Sequence, residues 1–259
     1  MKVIIVPTAA EAGDYAANVI LGGVPTGRIS VLGVATGSSP LPIYQALARP
    51  DEPTLKNLTV FALDEYVGLP KGHPQSYRSV IDAEVTVPLG LDPDRVHAPD
   101  GAAIDVEAAC VAFEESIRQA GGIDLQILGI GSDGHIGFNE PTSSFASRTR
   151  VKTLAPQTRA DNARFFDSLE EVPVHCITQG LGTIMEAREI VMIALGEEKA
   201  AAVAAAVEGP VSAICPGSIL QFHPNVTVIL DAGAASKLTL VDYYEHVAAN
   251  LPAWQQQRV

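Results

Sequence analysis

The sequence lacks several features that would assign it to a common class of protein. Its three cysteines are widely spaced and form no CxxC pair, which is typical of a reduced cytosolic protein and not of a disulfide scaffold. No apolar run approaches the length needed to cross a membrane, and the four apolar residues at positions 3–6 are too few for a secretory signal. These absences predict a cytoplasmic protein with no membrane partner.

Basic residues are scarce relative to acidic ones. The 259-residue chain has 17 lysines and arginines against 30 aspartates and glutamates, which gives a formal net charge of −13. An overall field of that sign disfavours nucleic acid and anionic membrane surfaces as partners. It does not exclude a small anionic ligand, because a few local amides and cations can dominate a pocket.

Familiar cofactor and catalytic motifs are also missing. The sequence contains no Walker P-loop, no GxGxxG fingerprint, no HExxH helix and no GxSxG elbow. ATP, dinucleotides and serine-hydrolase chemistry are therefore not indicated. No internal repeat or Pro/Ser-rich linker divides the chain, so we expect a single domain over residues 1–259.

What the sequence does contain is a regular alternation of short β-branched runs and helical patterns. The predicted strands cover 2–6, 29–35, 58–63, 123–130, 189–195 and 226–230, and the predicted helices cover 11–21, 41–48, 76–85, 106–119 and 197–207. This rhythm predicts an α/β fold: a doubly wound, mostly parallel sheet in a Rossmann-like sandwich, with helices on both faces. Segment 143–169 has no clean period, and we interpret it as a lid over the site or as a plain surface excursion.

The most informative stretch is Gly129–Pro141, which follows a predicted buried strand. Its glycines end the strand, so Asp133, His135 and Glu140 are expected on a loop just past the strand's carboxyl end. Ligands of open α/β sheets bind in the crevice at the carboxyl ends of the strands. Three titratable groups clustered there indicate a catalytic site. A metal is not expected, because helical ligand spacing and nearby cysteines are lacking.

A second candidate centre closes the third predicted strand. Asp64 and Glu65 should point to opposite faces if strand geometry persists, so only one of them should face a given site. A carboxylate in an apolar neighbourhood has the raised pKa that suits a general base. We favour Asp64 as the base. A helix-capping role for Asp64 is the alternative, and Glu65 is the next candidate for the base.

A third set of residues is typical of anion binding. Gly37, Ser38 and Ser39 follow the second predicted strand and precede a helix, where free backbone N–H groups can bind an anion; a simple N-cap is the alternative. Lys199 lies in a first helical turn, where a cation opposes the helix dipole unless an anion is bound nearby. Arg164 precedes two phenylalanines and could close onto a phosphate. For both cations, an ordinary surface position is the alternative.

Taken together, these motifs resemble those of the glucosamine-6-phosphate deaminase family, also called glucosamine-6-phosphate isomerases. The resemblance spans nearly the whole chain, and only minor departures occur, such as Gly217 where alanine is usual. The matching motifs are Ala35–Pro40, Leu63–Leu69, His73–Tyr77, Gly129–Pro141, Ser147–Arg150, Thr178–Gly182, Ala206–Pro210 and Ser218–Gln221.

The resemblance implies conversion of glucosamine 6-phosphate and water to fructose 6-phosphate and ammonia, without a metal or other cofactor. His135, oriented by Asp133 and Glu140, would open the sugar ring, and Asp64 would move a proton from C2 to C1. The substrate phosphate would bind to the third set of residues named above: Gly37, Ser38, Ser39, Arg164 and Lys199.

The resemblance also raises questions that the residues leave open. Some family members are hexamers that N-acetylglucosamine 6-phosphate activates, and others are monomers; the allosteric positions match at Ser143, Arg150, Lys152 and Thr153.

Two other functions are alternatives to a deaminase, because a 6-phosphogluconolactonase and a non-catalytic sugar-phosphate sensor share the fold. An intact Asp64 counts against the first, and the absence of a helix-turn-helix counts against the second. Galactosamine 6-phosphate remains open as the substrate.

Overall fold

A computed structural model describes residues 1–49 and 55–252 of the chain, so the single domain predicted over 1–259 extends past the described residues. Its strands are β1 (Lys2–Val6), β2 (Val31–Val34), β3 (Thr59–Ala62), β4 (Asp64–Tyr66), β5 (Val96–His97), β6 (Leu125–Leu128), β7 (Arg150–Thr153), β8 (His175–Thr178), β9 (Glu189–Ala194) and β10 (Val226–Asp231). Its helices are α1 (Ala9–Gly23), α2 (Leu41–Leu47), α3 (Tyr77–Ile81), α4 (Val106–Gln119), α5 (Pro156–Asn162), α6 (Leu181–Met185), α7 (Ala200–Val207), α8 (Ala232–Ala235) and α9 (Val241–Ala249).

The larger sheet has seven strands in the order β1-β10-β9-β6-β2-β3-β5, and its pairings are all parallel. From β2 the chain proceeds to β3 and β5 on one side, whereas β6, β9 and β10 lie on the other side. The loops after β2 and β6 therefore diverge, and this switch point leaves a crevice at the carboxyl ends of the strands. The predicted α/β fold with a mostly parallel sheet is confirmed.

Apolar side chains cover both faces of this sheet. Along β9, Ile190 and Met192 belong to one apolar cluster, and Val191 and Ile193 belong to the other. Strands buried on both sides require continuous apolar runs, which explains why these segments were visible in the sequence. The helices on the two faces begin at recognisable signals; α4, for example, starts where Asp105 accepts a hydrogen bond from the Ala108 amide at 2.9 Å.

A second, antiparallel sheet was not predicted. Its order is β4-β8-β7, and it pairs Asp64 with Thr178 and Thr178 with Arg150. The third predicted strand, 58–63, in fact ends at Ala62, and the chain enters the second sheet one residue later. Strands of three or four residues are too short to show a clear period, which is why this layer was missed.

Further segments differ from prediction, and β5, α8 and α9 were not predicted. Predicted helix 76–85 is α3 followed by a π-helical turn over Asp82–Thr86. Segment 143–169, which showed no clean period, contains β7, α5 and a 3₁₀ turn over Ala163–Phe165. Within the described ranges, no helix combines the length and apolar character needed to cross a membrane.

Candidate active site

A cavity of about 540 Å³ lies at the carboxyl ends of the large sheet's strands. The loops after β2, β3 and β6 form its walls, as the switch point between β2 and β6 requires. Segment 156–165 and the turn before α7 also contribute residues. The predicted site residues that line the cavity are Gly37, Ser38, Ser39, Asp64, His135, Arg164 and Lys199.

His135 is held between two carboxylates on a tight loop. Its Nδ1 lies 2.7 Å from Asp133 Oδ1 and 3.7 Å from Glu140 Oε2, and its backbone amide donates to Asp133 Oδ1 at 3.0 Å. The loop closes where the Gly131 amide donates to the His135 carbonyl oxygen at 2.9 Å. A Cβ at Gly131 would lie 2.2 Å from the imidazole, so only glycine fits there. Both acids face the Nδ1 side, which leaves Nε2 for a bound molecule.

The two carboxylates beside His135 have different surroundings. Partial burial disfavours the charged form of Asp133, but its hydrogen bonding and attraction to His135 outweigh that effect and hold its pKa well below the usual range. Asp133 therefore stays ionised. Glu140 is buried; its Oε1 accepts hydrogen bonds from Thr158 Oγ1 at 2.7 Å and from the Ala155 amide at 3.1 Å.

Asp64 faces the cavity and Glu65 does not, as strand alternation predicts. Asp64 is buried, and burial, with a further contribution from the charge of Glu65, raises its pKa well above the ordinary value. Glu65 accepts hydrogen bonds from the backbone amides of Tyr66, Tyr77 and Arg78 at 2.8–2.9 Å. The helix-capping role considered for Asp64 thus belongs to Glu65, which caps the start of α3.

The anion-binding residues come from three separate segments. Gly37 has a φ of 96°, which a residue with a side chain rarely adopts, and Ser38 and Ser39 follow it toward α2. The N-cap residue of α2 is Pro40, without a side-chain cap, so the alternative that Ser39 serves as a simple N-cap is wrong. Lys199 ends the 3₁₀ turn before α7. Arg164 is exposed, with its guanidinium 4.7 Å from the centre of the Phe165 ring.

The four positions that the family resemblance marks as allosteric lie outside this cavity. Arg150, Lys152 and Thr153 belong to β7, and Arg150 donates to Asn139 Oδ1 at 2.8 Å. Ser143 is buried and donates to the Glu140 carbonyl oxygen at 2.7 Å. Their proposed role stays a prediction.

The structure also shows residues that sequence reasoning missed. Asn139 donates to the carbonyl oxygens of Ile136 and Gln179 at 2.9 and 2.8 Å, and the Gln179 side chain donates to the Ala62 carbonyl at 3.0 Å. These bonds tie the His135 loop to the end of β3. Asn139 lies inside the motif singled out above, but its role as a connector depends on β8, which was not predicted.

The cavity wall has a second set of unexpected residues. Tyr77 and Thr158 line it, as do Ala83 and Glu84, which the π-helical turn presents. Nothing in the sequence signals a π-helical turn. Tyr77 belongs to a family motif, and that match was the available signal for its position.

Asp133, His135 and Glu140 are also the set of potential metal ligands found among residues 1–49 and 55–252. Their donor atoms lie within 4.8 Å of one another. Asp133 is paired with the imidazole and Oε1 of Glu140 accepts two hydrogen bonds, whereas the buried Oε2 of Glu140 has no hydrogen-bond donor among the described residues.

Comparison with known proteins shows the family of the chain. Residues 8–229 match the family described as glucosamine-6-phosphate isomerases/6-phosphogluconolactonase. Glucosamine-6-phosphate deaminases of Pseudarthrobacter chlorophenolicus and Streptomyces coelicolor are 57% and 56% identical, each over 98% of this chain and 99% of the relative. A solved monomeric glucosamine-6-phosphate deaminase is 39% identical, with a TM-score of 0.88 over 92% of this chain and all of its own.

More distant structures share the fold alone. A 6-phosphogluconolactonase from Trypanosoma cruzi superposes with a TM-score of 0.75 at 22% identity, over 92% of this chain and 97% of its own. The motifs, the cavity and the near-complete coverage by close relatives lead to one conclusion. The chain belongs to the glucosamine-6-phosphate isomerase/6-phosphogluconolactonase family.

Proposed function

We propose that this protein is a glucosamine-6-phosphate deaminase, which converts glucosamine 6-phosphate and water to fructose 6-phosphate and ammonia. The observation that carries the proposal is the position of Asp64, a buried carboxylate with a raised pKa, in the same cavity as His135. Moving a proton between two sugar carbons requires such a base. The close relatives named above have this activity in their names.

The first step opens the sugar ring. The hydroxyl at C1 loses its proton and the ring oxygen gains one, and an imidazole can serve both transfers. His135 performs this role, with Nδ1 directed to the two acids and Nε2 to the sugar. Asp133 stays ionised because His135 holds its pKa low. The ionised carboxylate fixes the orientation of the imidazole ring.

The second step moves hydrogen from C2 to C1. Asp64 removes the C2 proton of the open-chain amino aldose while a proton passes from the ammonium group to the C1 oxygen, which gives an enolamine. Asp64 then returns its proton at C1, which leaves a C1 hydroxyl and an iminium group at C2. A raised pKa stabilises the protonated carboxyl between the two transfers. Water then adds to the imine carbon, ammonia leaves, and the ketone of fructose 6-phosphate remains.

The phosphate fixes the substrate during both steps. Backbone amides and hydroxyls at Gly37, Ser38 and Ser39 bind it, and Arg164 and Lys199 neutralise its charge. This binding energy arises far from the reacting carbons and orients a small, flexible sugar. The partner is thus a small sugar phosphate.

The location that we propose for the protein is the cytoplasm. The free thiols of Cys110, Cys176 and Cys215 support it.

The proposal is tested by assaying the purified protein with glucosamine 6-phosphate, without added metal or nucleotide. Ammonia and fructose 6-phosphate should appear in equal amounts, and a chelator should leave the rate unchanged. Activity that a chelator abolishes and a divalent ion restores would assign Asp133, His135 and Glu140 to metal binding. Hydrolysis of 6-phosphogluconolactone without ammonia release from the amino sugar would make the protein a lactonase.

A further inference from the structure

Glu140 depends for its hydrogen bonds on a segment that follows it in the chain. Thr158 and Glu140 are 5% and 6% exposed, so water contributes little to their interaction. The Thr158 hydroxyl donates to Glu140 Oε1 at 2.7 Å, and the Ala155 amide donates to the same oxygen at 3.1 Å. Hydrogen bonds of this length to a carboxylate are among the stronger ones in proteins.

The two oxygens of Glu140 therefore have separate tasks. Oε1 is occupied by its two donors, whereas Oε2 is buried, has no hydrogen-bond donor among the described residues and lies 3.7 Å from His135 Nδ1. Fixing one oxygen fixes the plane of the carboxylate, and with it the direction in which the free oxygen points. The free oxygen points to the imidazole.

The same segment reaches the part of the cavity where the phosphate is proposed to bind. Helix α5 starts beside Glu140 and ends at Asn162, whose side chain donates to Tyr66 Oη at 3.0 Å. Arg164 follows two residues later and lines the cavity. One short segment thus carries a donor to Glu140 and a cation of the proposed phosphate site.

We propose that Thr158 is a positioning residue for the reaction, a proposal that rests on the function proposed above. Its hydroxyl holds Glu140 in the orientation that serves His135, so that correct docking of α5 also completes the ring-opening group. Thr158 itself does not exchange protons with the sugar. It acts through Glu140.

A double-mutant cycle tests this role. Thr158→Val keeps the side-chain shape and removes the hydroxyl, whereas Thr158→Ser keeps the hydroxyl. We expect Thr158→Val to lower kcat about 10- to 100-fold with little change in KM, the effect of losing one hydrogen bond to a charged group. Thr158→Ser should restore most of kcat. In a Glu140→Gln background, Thr158→Val should have almost no additional effect.

Several results would overturn the proposal. A raised KM with kcat preserved would mean that Thr158 binds the sugar directly. Equal losses in the valine and serine variants would indicate packing by the methyl group, and additive losses in the cycle would separate Thr158 from Glu140. Melting curves of each variant check that it is folded.

Crystal structures of the two Thr158 variants provide a readout that does not need turnover. The Glu140 carboxylate should rotate away from His135 in the valine variant and keep its place in the serine variant; an unmoved carboxylate in both would contradict the proposal. Failure of the wild-type protein to release ammonia would refute the proposed function instead, and the structures would still decide the role of Thr158.

Discussion

Asp64 and Glu140 are each only 6% exposed, whereas Gly37, Ser38 and Arg164, which line the cavity together with Asp64, are exposed to solvent. We call the first set, Asp64, Asp133, His135 and Glu140, the proton-transfer group. We call the second set, Gly37, Ser38, Ser39, Arg164 and Lys199, the anion group. Asp133, His135 and Glu140 of the first group are held by hydrogen bonds and ion pairs within the fold and Asp64 by burial, whereas the members of the second group come from three separate segments.

This difference follows from what each group must do. A base that works near neutral pH needs a raised pKa, and burial is what raises the pKa of Asp64. Binding of a phosphate needs accessible donors and positive charge, and it gains little from a rigid, buried position for each of them. Changes in the proton-transfer group should therefore lower kcat, and changes in the anion group should mainly raise KM.

The largest effect is expected for Asp64→Asn. This near-isosteric change removes the base and keeps the phosphate site. The value of kcat should therefore fall by about 10²- to 10⁴-fold or more, while KM stays close to that of the wild type. Steady-state kinetics with glucosamine 6-phosphate measures both. Glu65→Gln is the matched control, because Glu65 caps α3 and does not line the cavity. Because the charge of Glu65 contributes to the raised pKa of Asp64, this variant's kcat should fall much less than that of Asp64→Asn, and the reverse pattern would make Glu65 the base.

A smaller effect is expected from the anion group. Removing one charge-assisted contact to the phosphate, by Lys199→Ala or Arg164→Ala, should reduce kcat/KM by about one to two decades, mainly through KM. Lys237→Ala makes the same charge change at an exposed position outside the cavity and should leave the kinetics unchanged. If Lys199→Ala behaved like Lys237→Ala, Lys199 would belong to the solvated surface.

The smallest effects concern stability, and they should have opposite signs for two aspartates. Because the pKa of Asp64 is raised in the folded state, its ionisation destabilises the fold above that pKa, and the penalty disappears as the pH falls below the unfolded value of about 4. Asp64→Asn should therefore raise Tm by a few degrees near pH 8 and leave it unchanged near pH 3.

Asp133 provides the contrast. Its pKa is lowered in the folded state by His135, so its ionised form contributes stability above the unfolded pKa that is lost as the pH falls through the folded pKa. Asp133→Asn should lower Tm near neutral pH. Calorimetry of both variants across pH tests the two signs, and shifts in the same direction would contradict the assigned pKa changes.

Six of the seven strands of the large sheet could be predicted from the sequence because they form apolar runs, whereas β5, with two residues, is too short to be recognised. The second sheet could not. A single residue, Leu63, separates β3 from β4, and no change in composition there shows that the chain passes from one sheet to another. The other two strands of this sheet, β7 and β8, have four residues each, and β7 lies in segment 143–169, which has no clean period.

The candidate site was more predictable than the fold around it. A carboxylate at a strand end identified Asp64, a glycine-rich strand exit identified His135 and a misplaced cation identified Lys199. The structure brings the three into one cavity. Their roles in catalysis stay predictions. Thr158 could not be found in this way, because a threonine in a helix has no distinguishing pattern until its partner Glu140 is seen beside it.

Isotope labelling tests most directly whether Asp64 carries the proton from C2 to C1. Glucosamine 6-phosphate with deuterium at C2 is incubated in ordinary water with the wild type, Asp64→Asn and Glu65→Gln, and the label is followed by NMR. The wild type and Glu65→Gln should remove deuterium from C2 and deliver part of it to C1 of fructose 6-phosphate, whereas Asp64→Asn should leave it at C2. Loss of the label from C2 in Asp64→Asn at the wild-type rate would contradict the assignment.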